Sequence, residues 1–399
     1  MRTAAKRPRV VIASRGYPPE VGAAAFRIRA LADALARPLG DEDGVDVTVL
    51  TSRPPRGTET SVSENVRTRV RRWPVLRDRT GNVRGYLSYA SFDVPLLLRL
   101  LFARADAIVA EAPPTTGVVA VLIGRLRRRP VVYYPGDVWT DAVIAMGGHP
   151  LVVRTMRFLE TRILRRAHRV LAVSPEVAQR FVDMGADAAR VVMVGNGIDT
   201  SVFSPYGESP RASRPYFAYT GTMSDWQRPE LFVKALALIA SDTDVELRFF
   251  GQGTAASGVA DAARTAGLTD RVHLGGVVSP DEAAAWLRGA VAALVSIVPG
   301  VGYDFARPTK TYAAAATGAA VLYAGAPSGA EVVRSAELGY AVGFDAVEVA
   351  AAMTHLLDDA SSTAEPEARK RRSGWARDHA SLDAVARAAA APVLAMIAR

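Results

Sequence analysis

Short runs of β-branched and aliphatic residues alternate with helix-length patterns along almost the whole chain, and this rhythm constrains the fold more than any single motif. "RVVIAS" (9–14) is a continuous apolar run, the pattern of a strand buried on both faces of a parallel sheet. After a loop, "AAAFRIRALADALARPLG" (23–40) repeats apolar residues at helical spacing and ends at a glycine. "VDVTVLTS" (45–52), "DAIVAEAPP" (106–114), "RPVVYYPGD" (129–137), "RVLAVSP" (169–175) and "RVVMVGNG" (190–197) continue the strands. Helical patterns near 116–128, 152–167 and 175–184 fill the gaps. Such alternation predicts a doubly wound parallel sheet, and the fold class is α/β.

From 198 to 215 the text "IDTSVFSPYGESPRASRP" is rich in Ser, Pro and Gly and has no periodicity, so a linker falls there. A second series follows: "YFAYTG" (216–221), "VELRFFG" (245–251), "RVHLGG" (271–276), "VAALVSIV" (291–298) and "AVLYAG" (320–325), with helices near 229–240, 256–267, 280–289 and 308–317. The expected organisation is a Rossmann-like domain over 1–200, a linker at 201–215, a second Rossmann-like domain over 216–375, and a C-terminal helix, 376–399, that packs back on the first. A length of 399 residues suits two cores better than one.

Composition narrows the class of activity. The chain has no cysteine, which removes disulfides, thiolate metal sites and cysteine nucleophiles. The apolar runs "VVIA" near the start and "VPLLLRLLFA" (94–103) are too short for a signal core or a membrane span, which needs about 20 apolar residues. A cytoplasmic protein is expected. Charge is uneven: residues 1–200 carry 31 Lys and Arg against 19 Asp and Glu, a balance of +12 within a total of +9, which leaves −3 for the rest. A basic first half suggests an anionic partner, such as a phosphorylated substrate or the inner face of a membrane. Base composition is the alternative, since only four of the 49 cations are lysine. Basic stretches with interleaved aromatics are missing, so no nucleic-acid partner is expected.

In open α/β sheets ligands bind beyond the carboxyl ends of the strands, so the loops after the strands carry the candidates. Neither a Walker A loop nor GxGxxG is present, and "GQGT" (251–254) lacks the third glycine of a dinucleotide site. The first loop, "SRGYPPEVGAAAFR" (14–27), offers Arg15 and Tyr17, and Gly22 and Ala23 open a helix whose free N–H groups suit a phosphate. Glu111 ends the third strand. Asp137 and Trp139 follow the fourth on a strand-to-loop corner, where a carboxylate beside an indole suits a sugar hydroxyl. A helix cap or loop anchor is the other reading of Asp137. In the second half, "YTGTMSDWQRPE" (219–230) has Gly221 where backbone must approach closely, then Thr222 and Arg228. "RPTKTY" sets Arg307, Thr309 and Lys310 beside a helix start. Arg228, Lys310 and helix N-termini would stabilise the charge on a departing diphosphate; solvated surface cations are the alternative. "DTD" (242–244) sits in a turn, and the five histidines fall at no ligand spacing. The basic helix "RTMRFLETRILRRAHR" (154–169) reads either as a solvated face or as a lipid contact.

The ordered set "SRGYPPEVGAAAFRIRALADAL", "AEAPPTTGVVAVLIGRLRRRPVVYYPGDVWTDA", "VLAVSPEVAQRFVDMGADAARVVMVGNGIDTSVFSP", "FFGQG" with "DRVHLGGVVSPDEAAAWL", and "PTKTYAAAATG" resembles the GT-B glycosyltransferases of the retaining group 1, GT4-like family, nearest to bacterial enzymes of cell-surface and natural-product sugars. The resemblance implies two Rossmann-like domains facing a central cleft. It also implies a nucleotide-sugar donor on the second domain, a small-molecule or lipid-linked acceptor on the first, retention of configuration, and no metal or other cofactor. By position Asp137, Arg228 and Lys310 become the catalytic candidates. Gly221, Thr222, Arg228, Gly251, Val278, Thr309 and Lys310 are the donor side, with Val278 contacting the base through main chain. Arg15, Tyr17, Gly22, Ala23, Glu111 and Trp139 are the acceptor and sugar side.

Three positions depart from the family. Phe305 and Ala313 stand where relatives commonly carry an acidic pair eight residues apart, the second member gripping the ribose. Thr222 stands where an Arg is frequent, and Gly22-Ala23 replaces a Gly-Gly. Asp304 is one residue out of register with the first acid. These departures keep open a second reading, a non-catalytic GT-B partner that stabilises another transferase.

Overall fold

The computed structural model describes residues 7–20, 22–37, 44–55, 65–78, 83, 85–145 and 147–398. It divides into two compact units, one of Met1–Asn196 with Leu382–Arg399 and one of Gly197–Ser381.

In the first unit the chain runs β1 (Arg9–Ala13), α1 (Ala23–Ala36), β2 (Asp46–Ser52), β3 (Thr68–Trp73), α2 (Tyr86–Phe102), β4 (Ala107–Glu111), α3 (Pro114–Leu126), β5 (Val131–Tyr134), α4 (Trp139–Ala145), α5 (Pro150–Leu164), β6 (Arg169–Ala172), α6 (Pro175–Asp183) and β7 (Val191–Met193). The expected helix over 23–40 is described to Ala36, and its residues 38–40 lie outside the described residues. The strands form one parallel sheet in the order β3-β2-β1-β4-β5-β6-β7. The order reverses between β1 and β4, where a doubly wound sheet leaves its ligand crevice. Val10, Ile12, Val109, Val132 and Leu171 are fully buried on one face of the sheet and Val11, Ile108, Tyr133 and Val170 on the other, as their unbroken apolar runs require.

β3 and α2 are among the elements that go beyond the sequence expectation. β3 reads "TRVRRW", an edge strand with alternating burial in which Arg69 and Arg71 face outward while Arg72 turns in and donates to Pro18 O at 2.6 Å. α2 absorbs the apolar run at 94–103 and carries Pro95 inside its 17 residues.

The second unit runs β8 (Tyr216–Thr220), α7 (Glu230–Ile239), β9 (Glu246–Phe250), α8 (Ala256–Thr265), β10 (Val272–Gly276), α9 (Pro280–Gly289), β11 (Ala292–Ile297), α10 (Thr309–Ala316), β12 (Ala320–Gly325), α11 (Pro327–Ser335), β13 (Gly339–Val342), α12 (Ala346–Ala360) and α13 (Glu365–His379). Its sheet is parallel in the order β10-β9-β8-β11-β12-β13, with the reversal between β8 and β11. An isolated bridge from Ile198 to Ser381 ties the two ends of this unit together.

The last helix, α14 (Leu382–Ile397), belongs to the first unit. Ala386, Ala389, Ala390 and Val393 are buried in the same core as Ile28, Leu31 and Leu35 of α1. Arg37 pairs with Asp383 at 2.5 Å.

Candidate functional site

Because all strands of a unit run parallel, the loops after β1, β4 and β5 emerge together at the carboxyl edge of the first sheet. Ser14 and Arg15 leave β1, Glu111 ends β4, and Asp137 leaves β5. The side chain that joins them is Arg27 on α1, which sits on the buried stripe one turn before Leu31. Its Nη2 lies 3.5 Å from Glu111 Oε1, and its guanidinium stands 5.0 Å from the centroid of the Tyr134 ring. Gly136 makes room for it, since a Cβ there would come within 2.7 Å of Arg27 Nη2. Ser14 Oγ lies 3.3 Å from Glu111 Oε2.

Burial raises the pKa of Glu111, with Arg27 and Arg15 pulling it back. Burial also raises Asp137 to about 6, again opposed by Arg27. Asp137 is nonetheless exposed to solvent, so water offsets much of that push. A carboxylate raised in this way can take up a proton close to neutral pH.

Arg15 is buried, and its guanidinium stacks 3.9 Å from the centroid of the Tyr89 ring. Its carbonyl accepts from Ser52 Oγ at 2.7 Å, which pins the loop to the end of β2. Tyr17, expected on the sugar side, instead packs in the core at 2% exposure, where the loop buries its ring against the apolar face of α1. Gly22 precedes α1 with extended backbone, and a Cβ on it would meet no atom within 4 Å. Ala23 beside it is exposed. Trp139, expected on a strand-to-loop corner, instead opens α4. The reason is Glu160, a fully buried carboxylate that accepts from the N–H groups of Trp139 (2.9 Å) and Thr140 (2.8 Å) and so caps the helix from α5. The Trp139 ring meets Tyr89 edge-on at 6.3 Å between centroids.

At the carboxyl edge of the second sheet Lys310 is the focus. It lies in the first turn of α10, whose cap, Pro308, supplies no side-chain acceptor. Its Nζ stands 3.8 Å from the centroid of the Tyr219 ring and donates to Thr222 O at 3.1 Å. Tyr219 Oη donates to the same carbonyl at 2.7 Å, so this backbone oxygen fixes both side chains. Burial draws Lys310 down to about 7, although the side chain is only half-buried and water resolvates part of it.

Gly221 bends away from β8 at φ +104, and the positions a Cβ would take lie 3.8 Å from Lys310 Cε. Gly251 crosses directly beneath at φ +140, where a Cβ would come 1.9 Å from Gly221 O. Only glycine fits there. Arg228 projects from the next turn with φ +42, an unusual conformation for a side-chain-bearing residue. The turn is pinned by buried Gln227, whose Oε1 accepts from Ser224 N and whose carbonyl accepts from Ser296 Oγ at 2.6 Å. Val278 is half-buried in the loop between β10 and α9, and Thr309 begins α10. All seven donor-side candidates therefore lie at one sheet edge.

The departures have structural counterparts. Ala313 is 4% exposed, packed in the core beneath α10. Phe305 stacks on Tyr303 at 5.9 Å, and Tyr303 stacks on Trp226 at 4.8 Å, so an aromatic ladder occupies this loop. Asp304 accepts from Gly300 N at 2.9 Å, which makes it the anchor of its own loop. Asp244 of the "DTD" turn pairs with Arg214 at 2.8 Å, at the amino end of β9. Among the described residues no three His, Asp or Glu groups gather as a metal site would require, and no helix is long and apolar enough to cross a membrane. Arg27, Glu160, Tyr219 and Gln227 were not legible as site residues. The one signal was an arginine on the apolar stripe of α1.

Two doubly wound parallel sheets in series, each gathering charged side chains at its carboxyl edge, define a GT-B architecture. Residues 22–197 match the glycosyl transferase 4-like domain, and residues 214–359 match the glycosyl transferases group 1 domain. The chain belongs to this family of glycosyltransferases. Solved structures share the fold from end to end. Sucrose-phosphate synthase from Thermosynechococcus elongatus is 17% identical with a TM-score of 0.74, over 98% of this chain and 100% of that one. HepE from Anabaena, in complex with UDP and glucose, is 15% identical with a TM-score of 0.68, over 97% and 99%. WaaG, a glycosyltransferase of lipopolysaccharide biosynthesis, is 16% identical with a TM-score of 0.68, over 96% and 99%. No curated protein sequence matches the chain.

Proposed function

We propose that the chain moves a sugar from a nucleoside-diphosphate donor to an acceptor, with retention of configuration and without a metal ion, in a biosynthetic pathway. The donor belongs to the second unit and the acceptor to the first. The observation that carries this reading is Lys310, a cation held on the Tyr219 face and the Thr222 carbonyl in the first turn of a helix. An ammonium in that place, at the positive end of a helix and with Arg228 nearby in the fold, suits the negative charge that grows on a leaving diphosphate. Those groups do what a divalent cation would do, which supports metal independence. On the acceptor side, Asp137 suits the positioning of a sugar hydroxyl.

The bound nucleotide of HepE makes UDP the first donor base to try. A melting shift with UDP that persists in EDTA is expected, together with a loss of at least about a hundredfold in turnover for Lys310→Ala. A protein that no nucleotide stabilises, with UDP, GDP, ADP and TDP all tried, would instead be a non-catalytic partner of another transferase.

An open groove of about 1520 Å³ between α2 and β3 supports contact with an anionic membrane surface at the inner face. Arg9, Arg69, Arg71 and Arg99 line it beside Trp73 and Phe102, the last 79% exposed. Cations interleaved with apolar side chains suit anionic headgroups over acyl chains. Co-sedimentation with vesicles of anionic lipid, and none with zwitterionic vesicles, is the expected outcome; equal binding to both, or to neither, would remove the contact.

A further inference from the structure

The first unit holds a second feature that neither the sheet edge nor the fold requires. Between α2, α3 and α5 lies a cavity of about 260 Å³, open to the surface and walled by side chains that include Leu97, Val119 and Met156. Its wall is almost wholly apolar, with Asp93, Thr115 and Tyr89 as the polar exceptions.

Asp93 is 5% exposed. Its Oδ1 is satisfied, since Thr116 Oγ1 donates to it at 2.6 Å. Its Oδ2 has no hydrogen-bond partner, and Thr115 Oγ1, close enough to ease the carboxylate's ionisation, is itself without one within bonding distance. A buried carboxylate oxygen left unmatched in an apolar wall is costly unless a ligand meets it.

Tyr89 places this cavity in the fold. It stands one turn before Asp93 on the same face of α2, stacks against Arg15 at 3.9 Å, and meets Trp139 edge-on at 6.3 Å. The cavity therefore adjoins the carboxyl edge of the first sheet, where the acceptor candidates stand.

We propose that this cavity receives the apolar part of the acceptor, and that Asp93 Oδ2 accepts a hydrogen bond from a hydroxyl carried on it. The inference deepens the transferase reading and rests on it: the acceptor is a phenol or alcohol with an apolar body. A hydroxyl fits better than an ammonium, because it can donate to Asp93 while accepting from Thr115, and because the nearby Arg15 guanidinium repels a cation. The volume sets the size. An apolar cavity of roughly 150 Å³ takes a benzene ring, so this one takes a ring with a short substituent and not a long acyl chain.

Binding of 4-ethylphenol and 4-ethyltoluene to the full chain, followed by ligand-observed NMR titration, tests this without any need for transfer. The two differ only in hydroxyl against methyl. The phenol is expected to bind the wild-type chain at least tenfold more tightly. Asp93→Asn, which keeps the bond to Thr116 but puts a donor in place of the free acceptor, should shrink that preference to threefold or less. Val119→Phe and Leu97→Trp, which fill the cavity from two walls, should abolish binding of both probes. Equal affinity for the two probes, or phenol binding that survives Asp93→Asn unchanged, overturns the proposal. The selectivity and the isosteric Asn variant decide it even where a filled variant fails to fold. A UDP melting shift measured on the same samples separates the two readings: UDP stabilisation without phenol selectivity sinks the pocket alone. Phenol selectivity without any nucleotide shift keeps the pocket and sinks the donor reading.

Discussion

Burial draws Lys310 down to about 7, so it loses its proton more readily above neutral pH than a free lysine, and a diphosphate set against it would restore the proton. Binding above pH 7 must therefore take up a proton at Lys310, and affinity should fall toward tenfold per pH unit as the pH rises from 7 to 9. UDP titrations across that range check it, and Lys310→Met should flatten the profile. A flat wild-type profile would take Lys310 off the phosphate. Unfolding does not mimic this trend. The unfolded chain holds the Lys310 proton to about 10.5 and the folded chain only to about 7, so between those values this residue makes folding more favourable as pH rises. Asp137 has the opposite limb. If its carboxylate orients the sugar, kcat/KM should decline as the pH falls through about 6, and Asp137→Asn should remove that acid limb while lowering the rate at least tenfold. An Asn variant with the wild-type profile would leave Asp137 as a loop anchor. Both residues could be singled out from the text alone, Asp137 because it follows an apolar strand run and Lys310 because it stands at a helix start. Arg27 and Asp93 were not, because their roles depend on which apolar faces close around them.

At the scale of elements, the loops after the strands hold glycines that the fold requires and others, such as Gly22, that it does not. Gly251 is required by its neighbours: a Cβ at φ +140 would sit 1.9 Å from Gly221 O. Gly251→Ala should cost about 2 kcal/mol or more, and so lower the melting temperature of the second unit by roughly 5 °C. Gly22 meets nothing, and its extended backbone suits any residue. Gly22→Ala should leave the melt unchanged and cut turnover, since a methyl there can only be in the way of a ligand. Calorimetry beside a steady-state assay separates the two; a destabilised Gly22 variant would show that its loop needs glycine for folding. β3 and α2 were missed for a common reason. "TRVRRW" pairs only at a sheet edge, so its outward face is cationic and masks the strand period. α2 is apolar on its exposed side as well, with Leu87, Val94, Leu98 and Phe102 all open, and that blurs the helical stripe.

At the scale of the whole molecule, the first unit is closed by the last helix of the chain. The sequence places a C-terminal helix at 376–399, whereas the division falls at Leu382, because the bridge from Ile198 to Ser381 keeps the chain with the second unit up to that point. α14 then covers α1 with Val385, Ala386, Ala389, Ala390 and Val393, all buried. The expected return of the last helix to the first domain is met by α14, and the apolar face that α1 leaves open receives it. Removing residues 382–399 should strip that cover from Ile28, Leu31 and Leu35 and cost the first unit several kcal/mol of buried apolar area. Heating the truncated chain should then give an early transition absent from the full chain, followed by a second transition that UDP still raises. A single transition at the original temperature would mean that α14 is dispensable for the core it caps. A truncated chain that UDP no longer stabilises would mean that the donor site depends on the first unit being folded.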